Sequence, residues 1–441
     1  TNISSEEQLV KTFGKPQTTS NHYEWWFSAA NFLQYANQLN VVRVESGILN
    51  ATAGSTGLLI RNTDHYLESY STGQGSVGEW ASRTAGTHGN SVGVSICSSA
   101  NNYSQNAVTT TSAEESSGQT TISVTDATQF VKGDIVNFGE SNGYEYEVSS
   151  VNDSGSSDTI VIKLKDDVNG EGLQSTISSG TNIRRRWRFY DLFDGAPGTS
   201  SYASQNDRGT LDELHIVVYD TTGDITGFDY DVAGQATNSV IESFGNLSKC
   251  PVAKSPQGDS IYYPDVFFRQ SKYVYWGDHI AAGSNWGTDT TTTYTEVIPI
   301  TIDTLTGGTD DYSTTAGEIE TAYDKFKNAD TEDINLVIGG SSSIVGDTAA
   351  AQDTHVTMLV NLVEGRKDCV AFASPYRSAT VGVTTSAKQA KNVEVAADLI
   401  PSSSYLVLDS GYMQMYDKYN DVFRFVPLNG SVAGLCANTD Q

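Results

Sequence analysis

The chain has 441 residues, 38% of them hydrophobic and 10% aromatic, with a net charge of −27 at neutral pH. That length exceeds one ordinary core, and the apolar content excludes wholesale disorder; as a prior it favours about three domains. So acidic a surface repels nucleic acid and anionic membrane, because the Coulomb term has the wrong sign. It suits solubility at high copy number with pairing to basic partner surfaces, and equally an ordinary acidic soluble protein.

Four cysteines, Cys97, Cys250, Cys369 and Cys436, are far apart and form no CxxC pair. They read as reduced, buried thiols, which suits assembly in a cytosol. No apolar run approaches the roughly 20 residues of a membrane helix, and no basic-then-apolar leader opens the chain. Without an initiator Met, and stopping at Gln441, the sequence reads as part of something longer.

In chain order, Ser20 and Asn21 are expected to cap a helix in which Trp25, Trp26, Ala29, Phe32, Leu33 and Ala36 recur with helical spacing. NVVRV, residues 40–44, has the β-branched density of a buried strand. Residues 54–89 are loop-rich, and Val92, Val94 and Ile96 then alternate as in a strand. The polar stretch NNYSQNAVTTTSAEESSGQT (101–120) reads as a linker. Short strands follow in TTISVTDATQFVKGDIVNF, GYEYEVSSV and DTIVIKLKDDV, which predict a small all-β barrel or sandwich.

Arg184, Arg185, Arg186 and Arg188 surround Trp187 where the chain leaves that insert. LDELHIVVYD and DITGFDYDV read as strands joined by the turn Thr221–Thr222–Gly223. The segment from ATNSVIESF to KYVYWG alternates loop and strand. The last third changes period. TTAGEIETAYDKFKNAD, with Ile319, Ala322, Tyr323 and Phe326 on one face, DTHVTMLVNLVEGRKD and SAKQAKNVEVAADLI are helical. INLVIGG and CVAFASP are buried strands, so this part is a parallel-leaning α/β layer.

The expected fold is multidomain α+β. An outer α/β layer domain is built from both chain ends (1–66 and 295–441). A mostly-β middle domain (67–104 and 186–294) is nested in it, and a small all-β barrel-like domain (105–185) is inserted in that.

Three strings look catalytic. Gly89–Asn90–Ser91–Val92–Gly93 matches GxSxG, but that elbow needs a strand before the Ser and a helix after it, whereas a Gly-rich loop precedes and VGVSIC follows. Gly73–Gln74–Gly75–Ser76–Val77–Gly78 matches GxGxxG without the strand and helix that a dinucleotide turn requires. Asp167, Asn169 and Glu171 echo a calcium loop, but the twelfth position is Ser178 and not Glu. His215 is expected to be a satisfied core or surface residue. Asp278 and His279, adjacent in a strand, would point to opposite faces. Sequons at Asn50, Asn102 and Asn246 carry little weight in Ser/Thr/Asn-rich sequence. No catalytic, cofactor-binding or metal-binding residue is assigned, and no cofactor is expected. The arginines around Trp187 fit a charged strand at a domain junction; in so acidic a chain they are also the candidates for contact with an acidic neighbouring subunit.

One resemblance gives these negatives a meaning. SGYMQMYDKYNDVFRFVPLNGSVAGLCANTD (410–440) pairs a Tyr-rich strand and turn with a V-P-L segment and a helix starting near Gly430. It resembles the tail sheath proteins of contractile-tailed, T-even-like bacteriophages. LNVVRVESGILNATAG (39–54), AGTHGNSVGVSI (85–96), VIESFGNLSKCPVAKSPQGDSIYYPDVFFRQSKYV (240–274) and ASPYRS (373–378) fit that family in the same order. The family reading turns the GxSxG string into a turn entering a strand.

The resemblance implies a structural virion protein and not an enzyme. Such subunits form hexameric rings stacked helically around a tail tube and contract to drive the tube through the host envelope. The implied partners are other copies of the chain, the tube, and the baseplate and tail terminator proteins, without nucleic acid or membrane insertion. The resemblance carries nothing over to residues 105–180; a polar binding module there, in contact with host surface, stays open within this reading. Assembly in the host bacterial cytoplasm is implied, and without the family's terminal arms the chain is expected to be monomeric or weakly associating. The rival readings are another virion or surface protein, such as a baseplate, fibre or S-layer component, and a secreted β-rich hydrolase. Fibre repeats are not seen, and no convergent acid/base set supports a hydrolase.

Overall fold

A computed structural model describes residues 1–18, 21–44, 47–54, 56–73, 78–155, 157–167, 169–229, 238–297 and 302–439. The fold is mixed α+β with several separate sheets. The chain divides into two compact units, residues 1–46 with 311–441, and residues 47–310. The sequence placed the corresponding seams at 66/67 and 294/295.

The first unit contains a three-stranded parallel sheet, Leu336–Ile338, Val370–Ala373 and Leu406–Leu408, with Val370–Ala373 in the middle. Helix Ala349–Arg366 links the first two strands and buries Val356, Leu359, Val360 and Val363 against them. Its Thr348 side chain caps the first turn, and Lys367 in the left-handed region ends it. Helix Tyr23–Phe32 is buried on nearly all sides rather than along one stripe. It packs on the last helix, Asn429–Thr439, with Phe32, Phe372 and Ala433 in one apolar cluster. His22 and not Asn21 precedes its first turn and supplies no side-chain cap; Ser20 lies outside the described residues.

NVVRV does not form a buried strand. Only Leu39–Asn40 is extended and paired, with Asn2–Ile3, and residues 41–44 are half-buried or exposed. β-Branched density favours strands only where a partner edge is available, and the partner here is two residues long.

The second unit is organised on a four-stranded antiparallel sheet in the order Val240–Ser248, Glu213–Asp220, Val92–Cys97, Ile302–Thr304. Strand Glu213–Asp220 is central, so period 2 gives it two apolar faces. Leu214, Ile216 and Val218 enter the main core with Trp80 and Phe267, whereas Val217 and Tyr219 meet Trp187 and Phe189. The strand expected at DITGFDYDV is a loop as far as it is described: residues 230–232 fall outside the described set. The Asp220 carboxylate accepts from the amides of Gly223 (2.9 Å), Ile225 (2.8 Å) and Thr226 (2.7 Å), which holds these residues in a turn.

Tyr263–Gln270 is a helix where loop and strand were expected. Pro264 sits in its first turn, where a missing N–H costs nothing, and Tyr263, Val266 and Phe267 are its buried face. Phe267 lies 4.8 Å from the Trp80 ring, a packing gain available only after folding.

The insert is a six-stranded antiparallel sheet in the order Ser104–Thr110, Asn182–Arg186, Ile135–Asn137, Tyr146–Asn152, Thr159–Leu164, Thr121–Ser123. A bridge from Thr111 to Val124, with the Thr125 amide on the Thr110 carbonyl at 2.9 Å, brings the two outer strands together and closes the barrel. Closure removes exposed edges, and Ile122, Phe130, Val136, Tyr146, Ile162 and Ile183 are among the side chains that fill the interior. Residues 104–110 were expected to be a linker. Their polar side chains suit a half-exposed barrel wall once Asn182–Arg186 provides the ladder.

Three cysteines are buried, as expected, but Cys436 is exposed on the last helix, where helical phase turns it away from the Ala433–Gly434 contact. All four are free thiols. Among the described residues no helix is long and apolar enough to cross a membrane.

Candidate functional site

The arginine string takes its roles from strand geometry. On Asn182–Arg186 Ile183 enters the barrel core, a register shift falls between Ile183 and Arg185, and Arg184 is left exposed. Arg185 is 1% exposed. Its guanidinium donates to the Gln129 carbonyl (2.7 Å), the Asn101 carbonyl (3.0 Å) and the Asn102 Oδ1 (3.2 Å). The buried Asp134 carboxyl nearby is pushed up to about 6 by burial, with Arg185 acting the other way. Arg186 pairs with Glu145 and lies 3.7 Å from the Tyr190 ring centre. Arg188 pairs with Glu147 at 2.6 Å in a nearly dry setting.

Arg185 is buried and braces its own chain internally. Arg186 and Arg188 are also committed to glutamates of their own chain. Arg184 alone of the four is exposed.

The Tyr-rich block is a clasp on the N-terminal segment. Strands Tyr412–Asp417 and Val422–Pro427 form a hairpin in which Tyr416 faces Phe423, rings 5.4 Å apart and both exposed. Asp417 is fully buried and accepts from Arg424 Nε (2.8 Å), Asn420 Nδ2 (2.8 Å) and the Tyr419 amide (3.0 Å). Burial pulls its carboxyl upward, and these hydrogen bonds more than offset it, leaving it below the usual carboxylate range. The turn then reaches outward. Lys418 Nζ and the Tyr419 hydroxyl bond Glu6 at 3.1 and 2.9 Å, and Asn420 Nδ2 donates to the Pro16 carbonyl at 3.1 Å. Trp26 packs edge-on against Tyr419.

A second polar node was missed from the sequence. Glu24, fully buried in helix Tyr23–Phe32, pairs with Arg377 at 3.0 Å and accepts from the hydroxyls of Ser341, Ser343 (2.9 Å) and Tyr412 (3.5 Å). Burial raises its carboxyl above the usual range despite these partners. The one available signal was a lone carboxylate inside the apolar run YEWWF. Close by in sequence to this node, Asp409 accepts from the Ser374 hydroxyl at 2.6 Å, and burial lifts it to about 6.

The catalytic-looking strings resolve structurally. Ser91 ends a 3₁₀ turn, Thr87–Ser91, that enters strand Val92–Cys97. It is 1% exposed, and its hydroxyl meets Thr222 Oγ1 at 2.6 Å and Asp224 at 3.0 Å, with no histidine partner. Residues 74–77 of the GxGxxG string lie outside the described residues. His215 donates from Nε2 to the Gly195 carbonyl (2.8 Å) and accepts at Nδ1 from the Asn246 amide (3.0 Å), as a satisfied neutral imidazole. His279 lies outside any strand; its ring nitrogens meet the hydroxyls of Tyr262 and Tyr263 rather than Asp278. Burial lowers the Lys249 ammonium to about 8, but its Nζ is sealed inside, donating to the carbonyls of Ser98 (2.7 Å) and Leu211 (2.8 Å). Asn50 and Asn102 are fully buried and inaccessible to a glycosylating enzyme. Among the described residues no three His, Cys, Asp or Glu are placed to hold a metal.

No family model matches the chain. Along its whole length it is 25% identical to the tail sheath protein of Enterobacteria phage T4, covering 67% of that protein. It is 23% identical to the tail sheath protein of Salmonella phage ViI, over 98% of the chain and 63% of the relative. Over 53% of the chain it is 30% identical to the tail sheath protein of Vibrio phage KVP40, covering 34% of it. The chain thus spans about two thirds of the length of the first two relatives. Along its whole length the chain is thus similar to tail sheath proteins of bacteriophages, a likeness that fits a structural protein and not an enzyme.

Proposed function

We propose that this protein is a subunit of a contractile phage tail sheath, assembling as stacked hexameric rings around a tail tube and contracting to drive the tube through the host envelope. The observation that carries this reading is the similarity to tail sheath proteins along the entire chain. Its partners on this reading are other copies of itself, the tube protein, and the baseplate and tail terminator proteins. Its place is the virion, after synthesis and assembly in the host bacterial cytoplasm. The three-part nesting of domains belongs to the same proposal, with the barrel as the part that touches host surface. Arg184, exposed in an acidic chain, is the candidate contact to an acidic neighbouring subunit.

Negative-stain electron microscopy of the full gene product tests the assembly directly. Striated tubes or sheath-like polymers are expected. A product that stays dispersed across protein concentration and ionic strength would overturn the proposal.

A further inference from the structure

The barrel is joined to its host by two chain crossings, before Ser104 and after Arg186, and two crossings alone leave a hinge. Two side chains span that hinge, and a third anchors the chain between them. Arg185 takes acceptors from both sides, the Gln129 carbonyl within the barrel and Asn101 and Asn102 in the host, while only 1% exposed. Arg188, already on the host side, reaches back to Glu147 on barrel strand Tyr146–Asn152, with side-chain exposures of 8% and 3%. Trp187, between them, is anchored in the host through Nε1 on the Ser95 hydroxyl at 2.8 Å and stacks on Phe193. Asn102 is itself tied to the host by Nδ2 on Ser98 Oγ at 2.8 Å.

Swinging the barrel would pull a guanidinium away from fixed carbonyls and leave both unpaired without water, and would separate a desolvated ion pair. We propose that Arg185 and Arg188 lock the barrel to the four-stranded sheet, so that residues 104–186 and their host move as one body. The arginine string is then a set of positioning residues that makes the barrel a rigid lever on its host, independent of whether the protein forms sheaths.

Backbone ¹⁵N relaxation of the native chain decides this. Barrel amides are expected to share one rotational correlation time with amides of Val92–Cys97 and Glu213–Asp220. A correlation time in the barrel shorter by roughly twofold or more, as expected of a tethered body of far fewer residues, would overturn the lock, since volume follows chain length. The Arg185→Met/Arg188→Met double variant is expected to keep the barrel's amide-exchange protection, because the apolar side chains that fill its interior are unchanged, while its correlation time drops below the host's. If that variant keeps a folded barrel and tumbles as one body, the arginines are not the lock. If the double variant fails to fold, Arg188→Met alone, with Glu147 left in place, is read in the same way.

Discussion

Gly430 lies against the backbone of Ser28: a Cβ at position 430 would sit 2.1 Å from the Ser28 carbonyl oxygen. One turn on, a Cβ at Gly434 would sit 2.8 Å from the Tyr35 ring. The first and last long segments of the chain thus touch through glycine, because only the absence of a side chain lets two helices approach so closely. Gly430→Ala is expected to destabilise the first unit by about 1–3 kcal/mol, the usual range for overpacking a close-packed contact. A lowered denaturant midpoint with an unchanged slope would show it; an unchanged midpoint would mean the helices separate without cost.

The clasp at the hairpin turn has an unequal pair of contacts. Asp417→Asn removes a buried acceptor from Arg424 and is expected to cost about 2–3 kcal/mol, since it leaves a charge poorly matched. Glu6→Gln weakens exposed bonds to Lys418 and Tyr419 and is expected to cost less than about 1 kcal/mol, with the difference shrinking in high salt. Thermal unfolding of both variants at low and high salt checks the ordering, and a larger loss at Glu6 would reverse it.

Ser91 tests the absence of hydrolase chemistry. A fluorophosphonate probe is expected to leave it unlabelled, because its hydroxyl is buried and bonded to Thr222 and Asp224 rather than to a histidine. Ser91→Ala should cost about 1 kcal/mol, as for one lost hydrogen bond. Mass spectrometry of the labelled protein reads the outcome, and a stoichiometric adduct at Ser91 contradicts it.

His355 gives the first unit a pH dependence. It is fully desolvated, with Nε2 on the Gly339 carbonyl at 2.7 Å, and burial lowers it to about 4. A folded-state value below the ordinary 6.5 means the unfolded chain binds the proton first. Its stability contribution is therefore complete above pH 6.5 and is lost as pH falls toward 4. Asp409, raised to about 6 in the same unit, acts in the opposite sense over an overlapping window. The comparison that isolates His355 is the native chain against His355→Gln, whose amide can still donate to Gly339. The native chain should lose more stability between pH 6.5 and 4, and equal losses would mean the imidazole does not carry the effect.

Charge sets the response of self-association to salt. At −27 per chain, copies repel at long range, and the Debye length shrinks from roughly 30 Å at 0.01 M to roughly 8 Å at 0.15 M salt. Sedimentation velocity is expected to show larger species at higher ionic strength. Dissociation by salt would mean that complementary patches, and not screening, govern assembly.

What the sequence determined by itself was local. The period change in the last third gave the helix–strand alternation of the parallel sheet. Val92, Val94 and Ile96 marked a core strand, and the short-strand rhythm after residue 120 marked an all-β insert. The Tyr-rich block carried the resemblance to tail sheath proteins. These are properties of neighbouring residues, which propensity and period encode directly.

Only the tertiary structure decided what each polar group does. Whether Arg185 is a surface charge or a brace depends on Asn101 and Gln129, and Lys418 finds Glu6 across 412 positions. Helix 263–270 exists because Phe267 has Trp80 to pack on, and the stretch 104–110 is a strand because a ladder partner arrives from residue 182. Glu24 could be read as buried only once Ser341, Ser343, Arg377 and Tyr412 had closed around it. Burial and pairing are set by groups distant in sequence, and no local pattern carries their positions.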